Sequence, residues 1–228
     1  MSGALARETK TIPIVFAAVS DPIGQGLASS LARPGGNVTG FTAFEPTMGG
    51  KWVELLKEIA PRTGRVAVLF NPATAVPSNI LMPSIQAAAS SLAVEVSSAP
   101  VHSKDEIEGI VADFARRSGI SLIVMPDVFN VTNRELITAL TTRYAVPTMY
   151  FNRVFVETGG LISYGPDYAE QFHQAAGYID RILKGAKPAD LPIQVPTKFE
   201  LVINIKVAKA LGVDVPLQLQ QRADEVIE

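Results

Sequence analysis

Short apolar runs that end in turn residues alternate along this chain with stretches whose apolar positions recur at helical spacing. That alternation is the pattern of a parallel sheet with helices on its faces. Ile12–Val15 reads as a first strand, with Pro13 placing it early in the strand or at a sheet edge. Met48–Ile59 reads as a helix, because Trp52, Leu55, Leu56 and Ile59 fall on one face, and Pro61 ends it. Four units follow. Arg65–Phe70 is a strand and Ser78–Leu92 its helix, with Pro83 restricting where that helix can start. Val94–Val96, extending toward Val101, is the next strand. Its helix opens with a capping box of Ser103 and Glu106 and turns Ile107, Ile110, Val111 and Phe114 inward. Ser121–Met125 is wholly apolar, as a strand covered on both faces should be. Thr132 and Glu135 form a second capping box ahead of Leu136, Ile137 and Leu140, and Pro147–Phe151 is the fourth strand.

Leu161–Ser163 is a short further strand, Pro166–Leu183 a long helix stopped by Gly185, Lys198–Ile203 a strand, and Lys206–Leu211 a helix capped by Gly212. The fold class expected is α/β, with Rossmann-like lobes built on parallel sheets and the first lobe incomplete. Residues 61–165 form the second lobe, and 1–60 with 186–228 the remnant of the first. Residues 166–185 supply a helix and crossover toward that first lobe. So few strands in the first lobe leave edges unpaired, which predicts a homodimer through exposed sheet edges.

Composition narrows the chemistry. Hydrophobic residues are 47% of the 228 and charged residues 18%, enough for a true core. Lys and Arg number 20 against 22 Asp and Glu, with no basic block, so no nucleic-acid partner is expected. The absence of cysteine removes disulfides, thiolate metal sites and thiol nucleophiles. The apolar run Ile12–Val19 is far shorter than the ~20 residues of a membrane span. The segment MSGALARETK has no apolar core of a signal peptide, which predicts a cytoplasmic location for the chain as written.

In open parallel sheets ligands bind beyond the carboxyl ends of the strands. The polar residues there are Ser20 and Asp21 after the first strand, Asn71 and Thr74 after Arg65–Phe70, Asp127 and Asn130 after Ser121–Met125, and Asn152 and Arg153 after Pro147–Phe151. Phe16, Phe70, Phe129 and Phe151 lie beside them. The set suits a small ligand with an amine and an apolar body: a carboxylate for the amine, amides and hydroxyls for orientation, rings for the body. Asp, Asn and Pro also stand at strand ends because they make turns and caps, so each residue taken singly has that simpler explanation. Asp127 could equally serve as a phosphoacceptor or general base, but the further acids and the Lys of a phosphoacceptor site are absent. Gly24-Gln-Gly26 departs from a dinucleotide loop because Ser29 stands at the third glycine position. His102 and His173 are isolated from other ligand types, and no nucleophile motif is present. No catalytic residue, metal site or cofactor is therefore expected.

The segments Thr11–Phe16, Leu31–Gly40, Leu161–Tyr168, Ile182–Pro192 and Phe199–Asn204 resemble the ABC-transporter substrate-binding proteins related to the tryptophan-binding lipoproteins, which have a type I periplasmic-binding fold. The resemblance runs from about Ala4 to the C-terminus. It implies two lobes closing on a small amino-acid-like or aromatic ligand, an ABC permease as partner, and a periplasmic location. By position it implies ligand contacts from Ser20, Asp21, Asn71, Ser78, Asp127 and Phe151. Relatives of this kind carry a signal peptide and about three strand–helix units ahead of the segment matched, so the chain is expected to be N-terminally truncated. Two other readings stand beside this one: a cytoplasmic effector-sensing domain of the same fold, and an α/β enzyme using Asp127.

Overall fold

The computed structural model describes residues 2–75 and 78–228, without the side chains of Ser2 and Ser78. In chain order the elements are α1 (Ser2–Glu8), β1 (Ile14–Val19), β2 (Val38–Thr42), α2 (Met48–Ile59), β3 (Arg65–Phe70), α3 (Ser78–Ser91) and β4 (Glu95–Pro100). There follow α4 (Lys104–Ala115), β5 (Ile120–Val124), α5 (Val128–Thr132), α6 (Arg134–Arg143), β6 (Thr148–Tyr150), α7 (Arg153–Glu157) and β7 (Ile162–Pro166). The chain closes with α8 (Tyr168–Leu183), a 3-10 turn at Pro188–Asp190, β8 (Phe199–Asn204), α9 (Ile205–Ala210), α10 (Leu217–Arg222) and β9 (Glu225–Ile227).

These elements form two units. Unit 1 comprises Met1–Glu45 and Pro166–Phe199, and unit 2 comprises Pro46–Gly165 and Glu200–Glu228. Unit 2 is built on a seven-stranded sheet of order β4-β3-β5-β6-β7-β8-β9. Strand β3 runs parallel to β4 and β5, β5 to β6, β6 to β7, and β8 to β9. The central strands are largely apolar, and Val66, Val68, Leu69, Leu122, Ile123 and Val124 are wholly buried, as two covered faces require. Helix α2 has the bounds its periodicity predicts and buries Trp52, Leu55, Leu56 and Ile59. Gly49 lets it approach α3, because a Cβ there would sit 2.7 Å from the Leu81 carbonyl oxygen.

Unit 1 pairs β1 with β2 in parallel. Helix α8 packs on this ribbon, with Phe41, Ala175, Tyr178 and Leu191 forming a cluster and Phe16, Leu27, Val38 and Ile193 another. Asp167 caps α8 by accepting from the Glu170 amide at 3.0 Å, and its carboxylate lies 2.8 Å from Lys198.

Several details depart from the sequence expectations. Residues 200–228, expected with the first lobe, extend the sheet of unit 2: the Asn204 amide donates to the Leu161 carbonyl at 2.9 Å. Ion pairs fasten them there, Arg153 to Glu200 and Glu225, and Arg222 to Glu58. Helix α2 likewise lies in unit 2 rather than with residues 1–45. Strand β1 begins two residues later than expected and runs to Val19, so Phe16 lies within it and Ile12 is exposed. Pro83 sits inside α3. The second capping box does not form: Thr132 ends α5, its hydroxyl donating to the Val128 carbonyl, and α6 starts after Asn133 without a side-chain cap. Ser103 does cap α4, while Glu106 reaches back to the His102 amide, which together with the imidazole holds its carboxyl below the ordinary range.

Candidate functional site

In unit 2 the parallel register places Leu69 beside Val124 and Val124 beside Tyr150. The residues that follow β3, β5 and β6, namely Asn71, Asp127 and Phe151, therefore emerge at one end of three adjacent strands. Asp127 is buried and begins α5 in extended conformation. Its Oδ1 accepts from the Phe129 amide at 2.8 Å and from the Thr74 hydroxyl, and its Oδ2 accepts from the Asn71 amide at 2.7 Å. One carboxylate thus caps a helix and ties the β3–α3 loop to the β5–α5 loop.

Asn71 is buried, and its Oδ1 accepts from the Ala73 amide at 2.9 Å. Its Nδ2 has no hydrogen-bond partner among the described residues. Asn130 is fully buried and donates from Nδ2 to the carbonyls of Leu69 and Met125, holding the tips of β3 and β5 together. Its Oδ1 has no partner among the described residues. Phe151 is buried and meets Phe155 edge-on at 5.4 Å, and Asn152 caps α7 through the Val154 amide at 2.9 Å. Gly165 passes so close to this strand end that a Cβ would overlap the Phe151 carbonyl oxygen. Ser78 opens α3, and its side chain lies outside the described residues.

In unit 1, Ser20 and Asp21 follow β1. A register shift between Phe16 and Val19, with Ala18 at φ 57°, redirects the chain before it reaches them. Asp21 Oδ1 accepts from the Gly24 amide at 2.7 Å, which accounts for one oxygen as a turn former. Oδ2 of Asp21 and the Ser20 hydroxyl have no partner among the described residues. Residues 22–27 form turns and no helix follows Gly26, so the glycine-rich stretch lacks the helix N-terminus that a phosphate loop uses.

The structure thus joins Asn71 and Asp127 by a direct hydrogen bond, sets Phe151 at the same sheet end, and places Ser20 and Asp21 in the other unit. Thr74 and Asn130, read from the sequence as strand-end residues but not among the implied ligand contacts, prove to be what ties the strand tips and loops together. The Asp127-x-x-Asn130 spacing was the available signal, since a residue three after a cap lies one turn up the helix and back over the strand ends.

Two units, each a parallel α/β layer with helices packed on it, define a type I periplasmic-binding-protein fold. Residues 1–227 match the family described as ABC transporter substrate binding protein, and the chain belongs to that family. The curated Tyrosine-binding protein of Clostridioides difficile (strain R20291) is 28% identical over 203 residues. That match covers 89% of this chain and 58% of the relative, so the chain spans less than two thirds of its length. Among solved structures, a conserved domain protein from Vibrio cholerae superposes with TM-score 0.87 at 31% identity, covering 99% of this chain and 75% of that one. The ABC domain in complex with L-Trp from Streptococcus pneumoniae gives TM-score 0.87 at 30% identity, with the same two coverages. Among the described residues no helix is long and apolar enough to cross a membrane.

Proposed function

We propose that this chain is the non-catalytic solute-binding component of an ABC importer and that its ligand is an aromatic amino acid. The observation that carries the reading is the gathering of Asn71, Asp127 and Phe151 at the carboxyl ends of three neighbouring strands, in a chain similar to a tyrosine-binding protein and to a domain solved with L-Trp. The ligand ammonium is assigned to Asp127 Oδ2, which accepts a single internal hydrogen bond and so retains a lone pair. Asn71 Nδ2 is the donor assigned to the ligand carboxylate and Phe151 the apolar wall, and Ser20, Asp21 and Ser78 are further proposed ligand contacts. An ABC permease is the partner, and the working location is the periplasm.

Calorimetric titration of the 228-residue chain with L-tyrosine and L-tryptophan tests the proposal. Saturable binding is expected, weakened roughly tenfold by Asn71→Ala. Silence toward both amino acids, with the fold intact by circular dichroism, defeats it.

A further inference from the structure

The ladder between β3 and β5 ends at Leu69 and Val124, and the Met125 amide then donates to the Leu69 carbonyl at 3.0 Å. In a parallel pair the next rung would run from the Asn71 amide to the Met125 carbonyl. Both ends of that rung are instead taken by side chains from the start of α5. The Asn71 amide donates to Asp127 Oδ2 at 2.7 Å, and the Met125 carbonyl accepts from Asn130 Nδ2 at 3.0 Å. The second proton of the same Asn130 carboxamide goes to the Leu69 carbonyl at 3.3 Å. Asn130 is wholly buried, and its Oδ1 has no partner among the described residues. The fold therefore uses Asn130 as a donor.

We infer that Asn130 is a positioning residue for the ligand site: by occupying the Met125 carbonyl it keeps the Asn71 amide on Asp127, and so fixes where the Asn71 side chain stands. This role rests on the amino-acid ligand already proposed. The competing arrangement is one hydrogen bond away. A buried carbonyl left without a donor is costly, and the Asn71 amide is the donor that the strand register brings to Met125. Without a donor at position 130, Asn71 closes the rung, leaves Asp127 and draws its side chain along with it. Asp127 stays in place, because the Phe129 amide and the Thr74 hydroxyl both hold its Oδ1. Asn71 is the residue that moves, and it carries the donor assigned to the ligand carboxylate.

The test combines calorimetry and crystallography on the 228-residue chain, with Asn130→Ala and with Asn130→Leu, which fills the space without supplying a donor. Titration with L-tyrosine and L-tryptophan should show either substitution weakening binding about tenfold, but less than about threefold in an Asn71→Ala chain, where the side chain to be positioned is already gone. Equal losses in the two backgrounds mark a merely structural role and overturn the inference, as does unchanged affinity. In ligand-free crystals of whichever variant folds, the Asn71 amide should lie on the Met125 carbonyl. An amide still on Asp127 overturns the inference without recourse to any ligand. Silence of the unsubstituted chain toward both amino acids defeats the proposed function instead, and the crystals then decide the role of Asn130 alone.

Discussion

Unit 2 and unit 1 are made from the same kind of segment, yet they dispose of apolar surface differently. Unit 2 covers both faces of a seven-stranded sheet, and among its described residues the exposed large hydrophobics are Val128 and Leu217. The smaller unit 1 has a two-stranded ribbon and leaves Leu5, Ile12, Ile23, Phe172, Ile179 and Leu183 exposed. The strands of the two units are similarly apolar in sequence. What separates them is the number of neighbours: a strand or helix hides its apolar side only where other elements stand beside it.

The sharpest challenge to that contrast is a pair of large-to-small substitutions. Trp52 is wholly buried in unit 2, and its indole N–H donates to the Tyr164 carbonyl at 2.7 Å. Trp52→Ala is expected to cost roughly 3–5 kcal/mol in urea unfolding. Phe16→Ala in unit 1 should fall at or below the low end of that range, and an equal loss would erase the distinction between the units. Next in size, Asp127→Ala orphans the Asn71 and Phe129 amides and the Thr74 hydroxyl, at about 1–3 kcal/mol. Hydrogen exchange should quicken at those two amides and stay unchanged on β3; uniform protection would show that the carboxylate is not the tie between the loops.

The smallest effect belongs to Asp167 in unit 1. The hydrogen bond from Lys198 foremost, then the Glu170 amide, hold its carboxyl below the ordinary range. A carboxyl depressed in the folded state stabilises above its unfolded value near 3.9 and loses that contribution as pH falls through the folded value. Asp167→Asn keeps an N-cap oxygen and loses the ion pair to a mostly exposed lysine, about 0.5 kcal/mol at neutral pH. The deficit relative to the parent should vanish in strong acid, and a deficit that persists there would assign the effect to the cap.

Much of the fold was legible because apolar spacing is a local signal. Helix α2 and strand β3 lie where Trp52, Leu55, Leu56 and Ile59, and the run Arg65–Phe70, put them. Strand β2 is not among the strands expected from the sequence: Gly40 interrupts a five-residue segment, and its burial comes from α8, far away in sequence. The pairing of β8 with β7 was hidden for a similar reason: Arg153, Glu200 and Glu225 are distant along the chain and meet only once it is folded. Thr132 and Glu135 satisfied a capping pattern that the break after α5 overrode. At the candidate site, sequence indicates which residues stand at strand tips, since that follows from strand placement. It cannot tell a carboxylate awaiting a ligand from one already engaged by amides, and Asp127 engages two amides and a hydroxyl.

The two halves of unit 1 are made at different times. The ribbon of β1 and β2 leaves the ribosome before residues 46–165, while Tyr178 and Leu191, which cover Phe41, and the Leu191 carbonyl that accepts from Thr39, come only after all of them. At 5–20 residues per second that wait is on the order of ten seconds. During it the side of the ribbon that α8 later covers stays open while unit 2 takes shape behind it, so a chaperone has its opportunity there until α8 emerges.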